Sequence, residues 1–313
     1  MRIGIYGTGG AGGHFGARLA EAGEDVVFIA RGAHLEAIRA EGLRVEMDDR
    51  VIRIHPANAT DDPAKAGPVD VVLLGVKTWQ VEDTARVMAP MLGRETFVVP
   101  LQNGVEAAGQ LSDVLGVERV LGGLCATFSY VVGPGQIRSL GQVHSVRFGE
   151  LDRRQSERTQ RLRDAFTRAG VRANISDDIH IALWEKFLFV VPSGGVGAVT
   201  RAPVGVTRTV PETRRMVERG MEEIQSVGRA RGVDLPDDAV TRALGFLDAL
   251  DTAGTMSLQR DIAEGKPSEL EAWNGAVVRL GKEAGVPTPV HSFLYSALLP
   301  LERRARGELV FPG

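Results

Sequence analysis

The stretch Met1–Arg31, MRIGIYGTGGAGGHFGARLAEAGEDVVFIAR, reads as a strand, a glycine-rich turn, a helix and a second strand. Ile3 and Ile5 lie in a short β-prone run, Arg2 to Tyr6. Gly7-Thr8-Gly9-Gly10-Ala11-Gly12 then matches G-x-G-x-x-G, and Gly13 and Gly16 extend the small-residue track. The following helix sets Phe15, Leu19 and Ala22 on one face and stops at Gly23. Val26 to Ala30 is apolar throughout, as in a strand buried on both faces. In such a turn the first glycine permits the tight bend. The second lets backbone approach a pyrophosphate, and the third lets helix and strand pack closely. Free N–H groups and the positive end of the helix dipole face the anion. Strand, turn, helix and strand in that order supply the context that a lone glycine motif lacks, and imply dinucleotide binding.

The tip of the second strand selects the nucleotide. An acid there would bind a ribose 2′-hydroxyl, but the chain has Ala30-Arg31-Gly32. An arginine fork pairs with a 2′-phosphate, which favours NADP over NAD.

Length and composition bound the rest. A chain of 313 residues accommodates two domains. With 43% hydrophobic and 25% charged residues it has material for a sizeable core, and a net charge of −3 gives no reason to expect nucleic acid or an acidic membrane as partner. Cys125 is the only cysteine, so intrachain disulfides and cysteine-based zinc sites are excluded. No leader-like start and no membrane-length apolar run is recognised, and a cytoplasmic protein is expected. The six histidines show no metal-ligand spacing, and no metal is expected.

Along the chain, Leu35 to Glu41 suits a helix, and Leu43–Met47 with Val51–Ile54 a hairpin. Val69 to Val76 reads as a buried strand with Lys77 at its C-terminal end. Val81 to Leu92 suits a crossover helix, Thr96 to Leu101 a strand, and Gln102-Asn103-Gly104 follows at the strand tip. Arg119 to Phe128 continues as strand, and Ser129 to Glu150 as antiparallel pieces finishing the sheet. Ser156–Ala169 reads as an amphipathic helix and Val171–Ile175 as an edge strand. The expected fold is α/β: a Rossmann-type dinucleotide-binding domain, residues 1–176, then a mostly helical substrate domain, residues 177–313, packed directly with the active site between them.

Two clusters in the second half carry chemistry. In a helix expected from Asp178 to Val191, Lys186 shares the apolar stripe of Ile179, Leu183 and Val190. Burial there would lower its pKa and make it a proton donor near neutrality, although a snorkelling stem also fits the pattern. Ser193-Gly194-Gly195 reads as the helix terminator. Farther on, Ser268 with Glu271 fits a capping box and places Glu269 in the first helical turn.

Taken together these stretches resemble the ketopantoate reductase (2-dehydropantoate 2-reductase) family: GTGGAG, Ala30-Arg31, VKTWQV at residues 76–81, QNG at 102–104, LWEKF at 183–187, and the region from Ser257 through Asp261 to Asn274. The resemblance implies NADPH-dependent reduction of a 2-oxo acid to a 2-hydroxy acid. It implies Lys186 as the catalytic lysine that protonates the nascent alkoxide, and Glu269 as the carboxylate that orients it and contacts substrate and cofactor. Asn103 and Ser257 are implied in substrate binding. Gly7, Thr8, Gly9, Gly10, Ala11, Gly12, Arg31, Lys77 and Asn103 are implied in NADP binding. The partner implied is a small 2-oxo acid, with a homodimer through the helical domain by analogy. Where the family carries substrate-contacting asparagines four and eight residues after the lysine, this chain has Val190 and Gly194. Each lost hydrogen bond costs about 1 kcal/mol, which moves the expected substrate toward a more apolar 2-oxo acid. A related reductase of an imine or β-hydroxy acid, and a non-catalytic NADP sensor, are the alternatives.

Overall fold

The computed structural model describes residues 1–312, with side chains at all of them but 142 and 143. The chain divides into two compact units, one of residues Met1–Gln102 and Glu106–Ile179, the other of Asn103–Val105 and the residues from His180 on.

The first unit runs β1 (Arg2–Tyr6), α1 (Gly10–Glu21), β2 (Asp25–Ile29), α2 (Gly32–Glu41), β3 (Leu43–Glu46), β4 (Val51–Ile54), β5 (Ala59–Thr60), α3 (Pro63–Ala66), β6 (Val69–Leu74), α4 (Val81–Val87) and β7 (Leu92–Pro100). It continues with α5 (Ala107–Leu115), β8 (Leu121–Gly133), β9 (Gln136–Glu150), α6 (Glu157–Arg168) and β10 (Arg172–Ile175). Five parallel strands lie in the order β5-β2-β1-β6-β7. Strand order reverses between β1 and β6, and the C-terminal ends there are where open α/β sheets bind ligands.

The remaining strands do not finish that sheet. They form a second one, β10-β9-β3-β4, with β8 antiparallel to β9. Expected pieces broken at Gly141 are instead one long hairpin turning at Pro134-Gly135. Helix α1 packs between the two sheets. A side chain at Gly16 would come within 2.6 Å of Phe28 and 2.7 Å of Ile5 on the parallel sheet, and one at Gly13 within 2.0 Å of Ile137 on the second. The glycine track is therefore a packing requirement on both faces of the helix.

Three boundaries differ from the sequence pattern. The crossover helix α4 ends at Val87, because Pro90 cannot continue it, and β7 begins already at Leu92. The first unit extends through Ile179 rather than Ser176: the Ser176 amide donates to Phe148 O at 2.8 Å, and Ile179 packs against Gly122 and Gly149. The chain also leaves this unit at Asn103–Val105, within the span assigned to the nucleotide domain.

The second unit holds α7 (Ile179–Thr200), α8 (Val204–Thr207), α9 (Pro211–Ala230), α10 (Ala239–Ala249), α11 (Ser257–Ala263), a π-helical turn (Glu271–Gly275), α12 (Ala276–Ala284) and α13 (Pro289–Ala305). Helix α7 runs through Pro192 and through Ser193-Gly194-Gly195, so these residues do not terminate it. At 22 residues it is long and apolar enough to cross a membrane by length and composition, a run the pattern missed by ending the helix at Val191. Its apolar window is 78% buried, as in a core helix. Phe187, Leu188, Val191 and Val196 pack there with Val217, Met221 and Ile224 of α9 and with Leu280 and Leu294.

Cys125 is buried, its Sγ donating to Leu101 O at 3.4 Å. His14 is wholly buried on α1, its ring 4.3 Å from that of His144. Burial, then the charges of His144, Arg18 and Arg50, lower its pKa to about 3. The unfolded chain would therefore bind a proton below about pH 6.5 that the folded chain refuses until about pH 3, so stability falls on acidification through that window. His14→Gln should flatten this dependence: the thermal midpoint lost between about pH 7 and about pH 5 shrinks relative to the parent. An equal loss in both proteins would contradict the assignment.

Candidate active site

The glycine-rich turn of the first unit is built by backbone. β1 ends at Tyr6, and the Gly75 amide donates to Tyr6 O at 2.8 Å, which sets the ends of β1 and β6 side by side. Gly7 turns with φ +98°, and a Cβ there would lie 2.7 Å from the Val76 nitrogen. At Gly12 a Cβ would meet Gly7 O at 2.2 Å, and at Gly10 it would meet Ser129 O of β8 at 2.1 Å. Gly9 is different: nothing lies within 4 Å of its Cβ position. It is the N-cap of α1 with no side-chain cap, so the first-turn amides of the helix face outward. A backbone free of side chains beside uncapped amides fits a pyrophosphate.

Side chains brace this turn. Thr8 is buried and donates through Oγ1 to Ile29 O at 3.0 Å. His34, which the sequence pattern left as one of several scattered histidines, bridges it to the hairpin tip. Because the Gly135 amide donates to Nδ1 at 3.0 Å, the ring proton sits on Nε2 and is donated to Thr8 O at 2.8 Å. Arg31 stands exposed at the start of α2, with no acid beside it at the strand tip. Burial raises the pKa of the Tyr6 hydroxyl while Arg31 pulls it down.

Lys77 follows β6, half-buried, with Nζ 5.9 Å from the centre of the Trp79 ring. The loop carrying it is held by Gln102, whose Nε2 donates to Leu74 O at 3.1 Å and to Val76 O at 2.9 Å. Gln102 thus has a bracing role that its place beside Asn-Gly only hinted at.

The remaining candidates belong to the helical unit. Lys186 is half-buried near the start of α7, just before the fully packed Phe187 and Leu188. Glu269 is 8% exposed in the bend before the π-helical turn. That turn packs on α7: a Cβ at Gly194 would lie 2.8 Å from the Trp273 ring, and one at Gly195 would lie 2.9 Å from Asn274 Nδ2. Glycines 194 and 195 therefore admit the turn that follows Glu269, which explains why they sit inside a helix. Ser257 begins α11, half-buried. Asn103, placed by sequence at the nucleotide strand tip, groups with this unit, where Gly104 turns with φ +120° and its Cβ position lies 3.7 Å from Ala272 O.

The expected capping box is absent. Ser268 gives its amide to Glu302, and Glu271 accepts from Tyr295 Oη at 2.7 Å. The Gly275 amide reaches Leu270 O five residues back, so the helix opens as a π-turn, a form common at functional sites. Among the described residues no group of three or more acidic, histidine or cysteine side chains could hold a metal.

The cradle makes two substitutions separable. Gly9→Ala should leave the thermal midpoint unchanged and weaken dinucleotide binding, read by fluorescence titration, by roughly tenfold or more. Gly12→Ala should cost about 1–3 kcal/mol of stability through its clash with Gly7. Equal effects of the two on stability would contradict the geometry.

Comparison with known proteins agrees with this architecture. The family profile described as ketopantoate reductase PanE/ApbA matches residues 3–153, and its C-terminal counterpart matches residues 178–302. A 2-dehydropantoate 2-reductase of Mesorhizobium japonicum is 32% identical over 97% of each chain, and one of a Nostoc species is 30% identical over 96% of this chain and 95% of its own. The crystal structure of a PanE/ApbA family ketopantoate reductase from Ralstonia eutropha superposes with a TM-score of 0.89, at 31% identity, covering 98% of this chain and all of that one. With both halves matched in order, the chain belongs to the ketopantoate reductase family of oxidoreductases.

Proposed function

We propose that the chain reduces the keto group of a small 2-oxo acid with NADPH, and that Lys186 is the general acid. The observation that carries this is the presence, within one helical unit, of a half-buried lysine on the apolar stripe of a core helix and a buried carboxylate just before a turn packed on that same helix. A charged side chain is seldom placed on a packed face without a partner or a role. The family's curated members are named for reducing such an acid, 2-dehydropantoate.

The nicotinamide, when bound, supplies the hydride. The chain does the rest. Gly7 through Gly12 cradle the pyrophosphate with backbone amides, Arg31 pairs with the 2′-phosphate, and Lys77 and Asn103 bind farther along the cofactor. Lys186 holds a proton at Nζ, polarises the keto oxygen and gives up that proton as alkoxide charge develops. Glu269 orients the ammonium and contacts the substrate. Ser257 binds the substrate carboxylate. A homodimer through the helical unit and a cytoplasmic location belong to the same reading and rest on analogy.

The substrate is ketopantoate or a related, more apolar 2-oxo acid. One turn beyond Lys186 stands Val190, 8% exposed, and at two turns Gly194 lies under the Trp273 ring. Neither position offers a side-chain hydrogen bond, and Trp273 occupies the space a side chain at 194 would need.

Turnover is measured as loss of NADPH absorbance with a panel of 2-oxo acids including ketopantoate. Lys186→Ala should lower kcat by about 100-fold or more with NADPH affinity unchanged. Near-parental turnover in that variant would overturn the mechanism, and tight NADPH binding with no turnover on any acid would favour a sensor. Gly194→Asn should cost about 1–3 kcal/mol in thermal unfolding, because Trp273 must move.

A further inference from the structure

Glu302 lies far along the chain from any candidate residue and is only 4% exposed. A carboxylate so buried must be paired and hydrogen-bonded. Its partners are specific. Oε1 accepts from Arg306 Nε at 2.7 Å and from the Ser268 amide at 3.2 Å, and Oε2 accepts from the same amide at 3.0 Å and from Ser268 Oγ. Arg306 Nη2 closes the ring by donating to Ser268 O at 3.2 Å. One ion pair at the end of α13 thus holds the amide, the carbonyl and the hydroxyl of a single wholly buried serine.

That serine is the neighbour of Glu269. Ser268 Oγ also accepts from the Leu270 amide at 3.3 Å, and Glu269 O accepts from the Trp273 amide at 3.0 Å. Tyr295, also on α13, fixes Glu271 on the other side, its phenol pushed up to about 12 by burial and by that carboxylate. Helix α13 therefore clamps the backbone on the N-terminal side of Glu269 and ties the side chain of Glu271 two residues beyond it. A helix start needs only a cap for its amides. A buried carboxylate held on a wholly buried serine is a costly way to begin a helix, but a rigid one to aim a side chain.

We propose that Glu302, through Arg306 and Ser268, is the positioning residue that orients the Glu269 carboxylate for the reaction. The inference rests on the role given above to Glu269. Misplacing a reacting group by about 1 Å costs on the order of 100-fold in rate, which is the scale on which such a clamp acts.

The test is a double-substitution cycle in the full chain, with kcat and KM for the preferred oxo acid, NADPH affinity and thermal midpoint read for each protein. Glu302→Gln should lower kcat/KM about 10- to 100-fold and leave NADPH affinity unchanged. Combined with Glu269→Gln it should add less than about twofold to the loss from Glu269→Gln alone. Losses that multiply, or parental kcat/KM in Glu302→Gln while Glu269→Gln is impaired, would overturn the inference. Parental activity in Glu269→Gln would overturn the role of Glu269 itself, and this inference with it. Should Glu302→Gln fail to fold, Ser268→Ala and Arg306→Lys carry the same cycle.

Discussion

The first unit depends on how closely α1 approaches two sheets at once. Its N-terminal turn lies against the backbone of Gly7 on one side and of Ser129 on the other, with Cβ positions at Gly12 and Gly10 only 2.2 Å and 2.1 Å from carbonyl oxygens. No side chain fits at either place. The same approach leaves Gly9, between them, facing open space with uncapped amides beside it. Tight packing and ligand access are two faces of one arrangement, since the helix must be pinned by its neighbours for its amides to be presented without a side chain in the way. His34, Thr8 and Gln102 are the polar ties that keep the surrounding loops in register with that turn.

In the helical unit the comparable constraint is the fit of the π-turn on α7. Glycine weakens a helix by up to about 1 kcal/mol relative to alanine, and α7 carries glycines at 194, 195 and 197 after a proline at 192. The helix persists because Trp273 and Asn274 pack into the space left at 194 and 195, and Gln259 into that at 197. Several buried polar atoms there, on Ser193, Trp273 and Asn274, lack hydrogen-bond partners among the described residues. The turn they surround begins two residues after Glu269.

Much of this was legible in the residues. The parallel strands, α1 and the amphipathic α6 follow from periodicity, and the cradle follows from glycine spacing in its strand-turn-helix context. Lys186 stood out because a charge on an apolar stripe breaks the pattern. Glu269 did not: from pattern alone it was one more residue of a first helical turn, and the local signal around it, Ser268 with Glu271, pointed to a capping box that does not form. That local preference lost to tertiary partners, because Glu302 and Tyr295 offer the same groups charged or buried hydrogen bonds.

By itself the sequence determined most elements of the first unit, the glycine-rich strand-turn-helix, the absence of an acid at the β2 tip and the departure at Val190 and Gly194. All of these are set by residues close together in the chain or by residue type alone. Only the tertiary structure decided that the β8–β9 hairpin builds a second sheet, that Asn103 groups with the helical unit, that α7 runs through its glycines, and that α13 holds the neighbours of Glu269. Each of these turns on partners many residues away, where burial and charge pairing outweigh local propensity by more than any local signal is worth.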